Sequence, residues 1–282
     1  MTTLQDRLAE ATQALNAAGI DGAVRDARLL VAHVHQINVS RLTLHLRDDD
    51  GWGNAQELYW HDCLAARCEH KPIAKITGRK AFWGRDFWVN DNVLDPRPET
   101  ETLIAAALEC SFVQVLDIGT GSGAIILTLL AERPGARGVG TDISQQALIV
   151  ARHNADQFSV ADRLVMQQAD MWAGVTGRFD LIVSNPPYLA AAEMEDVPPD
   201  TLFDPRISLT DEADGLTFYR QIAGRAMEFL SGPGAKVLVE IGPSQGAAVQ
   251  KMFIDAGFDG VTILPDLDGR DRVIDAKWPD TA

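Results

Sequence analysis

Two short segments of this 282-residue chain carry residue types at spacings that do chemistry. The first, Asn185-Pro186-Pro187-Tyr188, follows a strand-like run over 179–184. A residue that precedes proline is held extended, which aims the Asn185 side-chain carbonyl outward. The two prolines stiffen the turn and leave the Pro186 carbonyl without a competing local donor. Two carbonyls so placed accept both hydrogens of a planar NH2 group, and Tyr188 offers a face on which an amide or a base stacks. The chemistry that fits is methylation of a nitrogen whose lone pair is delocalised. Such a nitrogen is a poor nucleophile, so catalysis rests on aligning it with a methyl sulfonium and on two acceptors that favour charge development, with no strong base and no metal. Asn185, Pro186 and Tyr188 are therefore the candidate catalytic residues, and Asn185, Pro186, Pro187 and Tyr188 the candidate substrate grip. The plainer reading is a proline-rich turn that ends a strand.

The second segment, residues 115–123, reads Val-Leu-Asp-Ile-Gly-Thr-Gly-Ser-Gly and joins a strand to a helix. Gly119, Gly121 and Gly123, with Thr120 and Ser122 between them, let the backbone turn tightly and approach a ligand where a Cβ would collide. A second strand, 138–141, ends in Asp142-Ile143, where an acid is placed to accept from two ribose hydroxyls. A dinucleotide fold carries such an acid too, so NAD competes with S-adenosylmethionine. The G-x-G-x-G spacing favours the methyl donor, as does Asp117, which would repel a pyrophosphate and welcome an ammonium group. After the third strand, Asp170-Met171-Trp172 suits an adenine: the acid accepts from the amino group while Met and Trp flank the ring. A solvated acid followed by two core residues explains the same tripeptide.

The elements that must position these residues are legible in the apolar periodicity. Helical spacing runs from Leu4 to about His70, a strand-like aromatic stretch with Phe82, Trp83, Phe87 and Trp88 lies between about Pro72 and Arg97, and strands alternate with helices from Glu99 onward. The expected strands are 113–117, 138–142, 164–168, 179–184, 235–241, 261–264 and 272–276; the expected helices are 125–132, 144–155, 215–230 and 245–256. Such alternation implies a mostly parallel sheet covered by helices on both faces, with ligands beyond the carboxyl ends of its strands. The expected division is 1–71 as a helical recognition domain, 72–97 as a β-hairpin linker and 98–282 as the catalytic α/β domain. The aromatic residues of the hairpin read better as packing than as a substrate shelf.

Hydrophobic residues make up 46% of the chain, which provides a sizeable core and excludes disorder as the main state. No long uncharged apolar run or signal peptide is present, so a cytoplasmic protein without membrane contact is expected. The three cysteines and six histidines show no metal-binding or disulfide spacing. Net charge is −15, and residues 97–282 hold 27 acids against 14 Lys and Arg. An acidic module is a poor non-specific partner for nucleic acid, and a basic protein suits it better. Over 193–214 a single cation, Arg206, stands among eight acids, read either as a rim that steers a basic partner or as a solvated loop.

Taken together the segments resemble class I S-adenosylmethionine-dependent methyltransferases, and most closely the peptide-chain release factor glutamine methyltransferases of the HemK/PrmC type. The resemblance covers nearly the whole chain: Lys71-Pro72-Ile73-Ala74, Phe82-Trp83-Gly84, Pro96-Arg97-Pro98-Glu99-Thr100-Glu101, the glycine loop, Asn185 to Tyr188, Asp214-Gly215-Leu216 and Gly269-Arg270-Asp271-Arg272-Val273. It implies a Rossmann-like domain with a seven-stranded, mostly parallel sheet behind a helical bundle and a hairpin. It implies S-adenosylmethionine as donor, leaving S-adenosylhomocysteine, and the glutamine of the Gly-Gly-Gln tip of class 1 release factors as acceptor. By resemblance Thr100 and Arg97 lie near the methionine end or the pocket wall; a monomer is expected. The alternatives are the sister ribosomal-protein glutamine methyltransferases, an N6-adenine methyltransferase, whose exocyclic amino group presents the same two hydrogens, and a non-catalytic cofactor-binding adaptor. The chain departs from the family pattern at Lys75, Asp95, Met171-Trp172, Asp204-Pro205 and Asp211-Glu212.

Overall fold

In the computed structural model, which describes residues 2–279, the chain packs as two units: one formed by 2–79 with 198–203, the other by 80–197 with 204–279. The first is helical. Thr3 starts α1 (Leu4–Ala17) with a reciprocal cap: its hydroxyl accepts from Asp6 N, and the Asp6 carboxylate accepts from Thr3 N. With α2 (Ala23–Val34), α3 (Leu42–His45) and α4 (Asn54–Cys68), it encloses a core built on Leu4, Leu15, Leu30 and Trp60. Buried Asp26 accepts from Arg67 Nε at 2.8 Å, and Arg67 Nη1 in turn meets Asp200 at 3.2 Å. That ion pair holds the segment 198–203 within this unit.

The stretch expected to be wholly strand-like begins as a helical turn, α5 (Ile73–Thr77), between Pro72 and Gly78, the latter in the left-handed conformation that ends helices. The hairpin itself is β1 (Arg79–Phe82) and β2 (Arg85–Trp88). Its two-residue turn, Trp83-Gly84, takes positive φ at both positions, the arrangement that matches strand twist. Phe82 and Phe87 are buried, and Phe87 meets Phe158 edge-on at 4.7 Å, so these aromatics pack rather than form a shelf.

The second unit contains a seven-stranded sheet in the order β5-β4-β3-β6-β7-β9-β8. Its strands are β3 (Gln114–Ile118), β4 (Arg137–Asp142), β5 (Leu164–Gln168), β6 (Leu181–Ser184), β7 (Lys236–Glu240), β8 (Asp259–Pro265) and β9 (Asp271–Lys277). All pairings are parallel except those of β9 with β7 and β8. The helices are α6 (Glu101–Glu109), α7 (Ala124–Glu132), α8 (Gln145–Gln157), α9 (Thr217–Arg225) and α10 (Gly246–Asp255). Strands β6 and β7 read as near-continuous apolar runs because both faces of the sheet are covered. Chain order runs outward in both directions from β3 and β6, which places the switch point between them, and there the Ser184 hydroxyl donates to the Ile118 carbonyl at 2.7 Å. Among the described residues no helix is long and apolar enough to cross a membrane.

Candidate active site

A cavity opens at the carboxyl ends of β3, β4 and β6, and both sequence motifs reach it. Its wall includes Arg97, Thr100, Gly119, Thr120, Gly121, Ser122, Asp142, Ile143, Asp170, Met171, Asn185, Pro186 and Pro187. The glycine loop leaves β3 with Gly119, Gly121 and Gly123 all at positive φ, a conformation that side chains disfavour. A Cβ on Gly119 or Gly121 would meet no protein atom within 4 Å, so the space beside them is a cradle open to a ligand. Gly123 differs and does not line the cavity. A Cβ there would strike Leu127 at 2.6 Å, so that glycine serves close packing under α7.

Asp142 closes one side of the cradle, accepting from Gly121 N and Ser144 N, each at 2.8 Å. Both of its oxygens retain lone pairs, as acceptance from ribose hydroxyls requires. Burial raises its pKa, and the two amide bonds oppose the rise. Ile143 is half exposed on the same wall and Asp170 is exposed, so an apolar face and an acid flank the place for a base.

Three further expected site residues do not line the cavity. Asp117 does not reach the cavity; it is fully buried under the loop, where it accepts from the Thr120 hydroxyl at 2.6 Å. Burial pushes its pKa up to about 7, so its role is to hold the loop rather than to meet an ammonium group directly. Trp172 lies in the core, stacked on Phe229 at 4.6 Å with its indole N–H given to the Gln221 carbonyl, because this large ring buries more apolar area there than at a half-open wall. Met171, with φ of 50°, is the residue of that pair that lines the cavity. The Tyr188 ring packs against the core and does not line the cavity either, and its main chain is pinned where Gln245 Nε2 donates to its carbonyl at 2.8 Å.

The Asn185-Pro186-Pro187 turn is oriented from below. Asn185 Nδ2 donates to Thr100 Oγ1 at 3.3 Å, which commits its amino group and leaves Oδ1 free to accept. Among the described residues none donates a hydrogen bond to the Pro186 carbonyl. Arg97 is held by Asp204, whose buried carboxylate takes the guanidinium at 2.6 Å.

Several contributors escape a reading of motifs. Asn154, fully buried on α8, accepts from Trp88 N at 2.8 Å and donates to the carbonyls of Trp88 and Ser122, tying the hairpin to the glycine loop. Its signal is a polar residue on the apolar stripe of Leu148 and Ala151. Glu240 ends β7, fully buried beside Thr100 and Asn185. Its signal is a lone acid at the carboxyl end of an otherwise apolar strand, where such sheets place their ligand chemistry. In the 193–214 loop Asp211 accepts from the backbone of Ala213, Gly215 and Thr217, Glu212 pairs with Arg206 and Asp214 with Arg220, while Glu193, Glu195, Asp196, Glu212 and Asp214 are exposed.

Comparison with known proteins decides the family. Residues 6–78 match the PrmC N-terminal domain and residues 98–203 the methyltransferase small domain. The release factor glutamine methyltransferase of Cereibacter sphaeroides is 50% identical over 97% of this chain and 98% of its own length. The chain belongs to the release factor glutamine methyltransferase family. The Caulobacter vibrioides member is 37% identical over 97% of this chain and 93% of its own. Among solved structures, a Pyrococcus furiosus methyltransferase aligns with a TM-score of 0.55 at 20% identity, covering 77% of this chain and 99% of that one, which bears on the fold alone. Family membership implies S-adenosylmethionine as the methyl donor, and the open cradle at Gly119 and Gly121, with Asp142 beside it, fits that molecule.

Proposed function

We propose that the protein transfers a methyl group to the side-chain amide nitrogen of the glutamine at the Gly-Gly-Gln tip of class 1 peptide-chain release factors, and so tunes translation termination. The observation that carries this reading is that Asn185, whose Nδ2 is given to Thr100 and whose Oδ1 is left to accept, and Pro186, whose carbonyl takes no hydrogen bond among the described residues, line the same cavity as the glycine cradle. When bound, S-adenosylmethionine supplies an electrophilic methyl on sulfur. Gly119, Gly121 and Asp142 hold the donor, with Ile143, Asp170 and Met171 around its base. Asn185 and Pro186 take one amide hydrogen each, which fixes the nitrogen and stabilises the positive charge it gains as its lone pair takes the methyl. With the donor held there, the methyl would pass from its sulfonium sulfur, which keeps the bond pair, to the amide nitrogen that Asn185 and Pro186 orient, and the surplus proton would then leave that nitrogen.

Residues 1–71 serve recognition of the release factor, and the enzyme acts as a monomer in the cytoplasm. The deciding assay presents labelled donor to a purified release factor, to its Gln→Ala tip variant and to DNA and RNA duplexes. Label entering only the intact tip supports the proposal; label entering nucleic acid overturns it in favour of an adenine acceptor.

A further inference from the structure

Glu240 has no place in the two motifs, yet it ends the strand next to the one that carries Asn185. It is 1% exposed, and its Oε2 is buried without a hydrogen-bond partner. A buried carboxyl left partly unsatisfied is costly, so its presence at a strand end beside the cavity calls for a task. The side chains of Thr100 and Asn185 lie beside it and favour its ionised form. Thr100 is also the acceptor for Asn185 Nδ2.

We propose that Glu240 is a positioning residue for methyl transfer: as an acceptor-only carboxylate it accepts a hydrogen bond from the Thr100 hydroxyl, which commits the Thr100 oxygen to accept from Asn185 Nδ2 and keeps Asn185 Oδ1 turned to the substrate amide. This rests on the reading of Asn185 as the amide acceptor. An asparagine amide is nearly symmetric in shape, and nothing in the Asn-Pro-Pro turn itself distinguishes Oδ1 from Nδ2. Turned over, the side chain would present two donors to an NH2 group and repel the substrate it must hold. The chain of donors fixes the choice only while its lower end cannot donate. A protonated Glu240 would donate to Thr100, free the threonine hydrogen for Asn185 Oδ1 and favour the wrong orientation.

The charged and titratable groups facing Glu240 come from each element around it. Arg272 on β9 favours the carboxylate, Glu99 before α6 opposes it, and the phenols of Tyr188 and Tyr219 lie near it. Burial outweighs the favourable contacts and brings the carboxyl to about 7, so its protonation state changes within the working range of the enzyme.

The test is the pH profile of kcat, measured with saturating donor so that titration of Asp117 beneath the cofactor loop is not what is read. The natural enzyme should lose kcat as pH falls through about 7. Glu240→Gln should lower kcat by about 10- to 100-fold, the scale of a misaligned reacting group, and should remove that acid limb while donor Kd stays within about twofold. Glu240→Gln with natural kcat, or with the limb intact, overturns the proposal. Thr100→Val should lower kcat similarly and Thr100→Ser should restore it, which tests the relay even if the Glu240 variant fails to fold. Natural kcat in Thr100→Val also overturns it. Asn185→Ala separates the two readings: if it retains transfer, the acceptor assignment fails, whereas an inactive Asn185→Ala beside an unaffected Glu240→Gln removes only the role of Glu240.

Discussion

At the residue scale the reaction depends on two oxygens being held in place, and only one of them belongs to a side chain. Removing the Asn185 amide leaves the Pro186 carbonyl and the donor cradle in place, so Asn185→Ala should lower kcat by at least about 100-fold, comparable to loss of one charge-stabilising contact. Donor binding measured by calorimetry should be unchanged, which separates loss of chemistry from loss of fold. Asp142→Ala should do the reverse. It removes the acceptor at the cradle and releases Gly121 N and Ser144 N, so donor Kd should rise by about tenfold or more, the worth of one charge-assisted hydrogen bond. Asn185 and Asp142, expected from the two motifs to share a site, do line one cavity. Trp172 and Tyr188 pack with the core instead of on the cavity wall, because an aromatic beside a motif fills a core as readily as it walls a pocket. Glu240 is missed because its partners, Thr100 and Asn185, lie 140 and 55 residues away in the chain and meet only in the folded sheet.

At the element scale, the seven strands follow from their apolar patterns because burial on both faces leaves little alternative for runs such as Leu181–Ser184. The fourth expected strand loses its first residues for a reason outside the pattern. Phe179 bridges Leu230 and bonds Phe229 instead of continuing the ladder, and Asp180 turns its carboxylate to the amides of Val113 and Gln114. Helix α6 was not among the expected elements, since its start depends on the Pro98–Thr100 turn and on packing against the sheet. The loop from 189 to 216 is held together by long-range bonds that no local pattern contains. Gly215 is its closest point: φ is 76°, and a Cβ there would sit 2.4 Å from the Tyr188 carbonyl and 3.0 Å from Gln245 Nε2. Gly215→Ala should therefore push the Tyr188 main chain away and strain its own backbone, costing about 1–3 kcal/mol in stability. Since the displaced segment adjoins Pro186, kcat should fall as well. A natural unfolding midpoint in urea together with natural kcat would show that the loop accommodates the methyl group and does not position the turn.

At the scale of the whole molecule, charge and buried acids act together on the pH dependence of stability. Burial raises Asp117 and Glu240 from ordinary carboxyl values to about 7. From about pH 4 to 7 the folded state therefore holds protons on these groups that the unfolded chain has released. Stability then falls as pH rises through that interval, by at most about 1.4 kcal/mol per pH unit for each group, and levels off above it. A net charge of −15 adds self-repulsion in the same direction as the remaining carboxyls ionise. The opposing set is the carboxylates held low, Asp180 and Asp211 by backbone amides and Asp214, at about 2, by Arg220. Their contribution is present above their unfolded values and is lost as pH falls below about 4. The two trends cross between them, so the thermal midpoint should peak between about pH 4 and 6 and decline toward pH 8. In Asp117→Asn the decline from pH 5 to 8 should be shallower, because one of the two buried acids no longer ionises. An unchanged slope in that variant would mean that Asp117 contributes nothing to the pH dependence, leaving Glu240 and the net charge to set it, and that the glycine loop tolerates an ionised Asp117 at no cost to the fold.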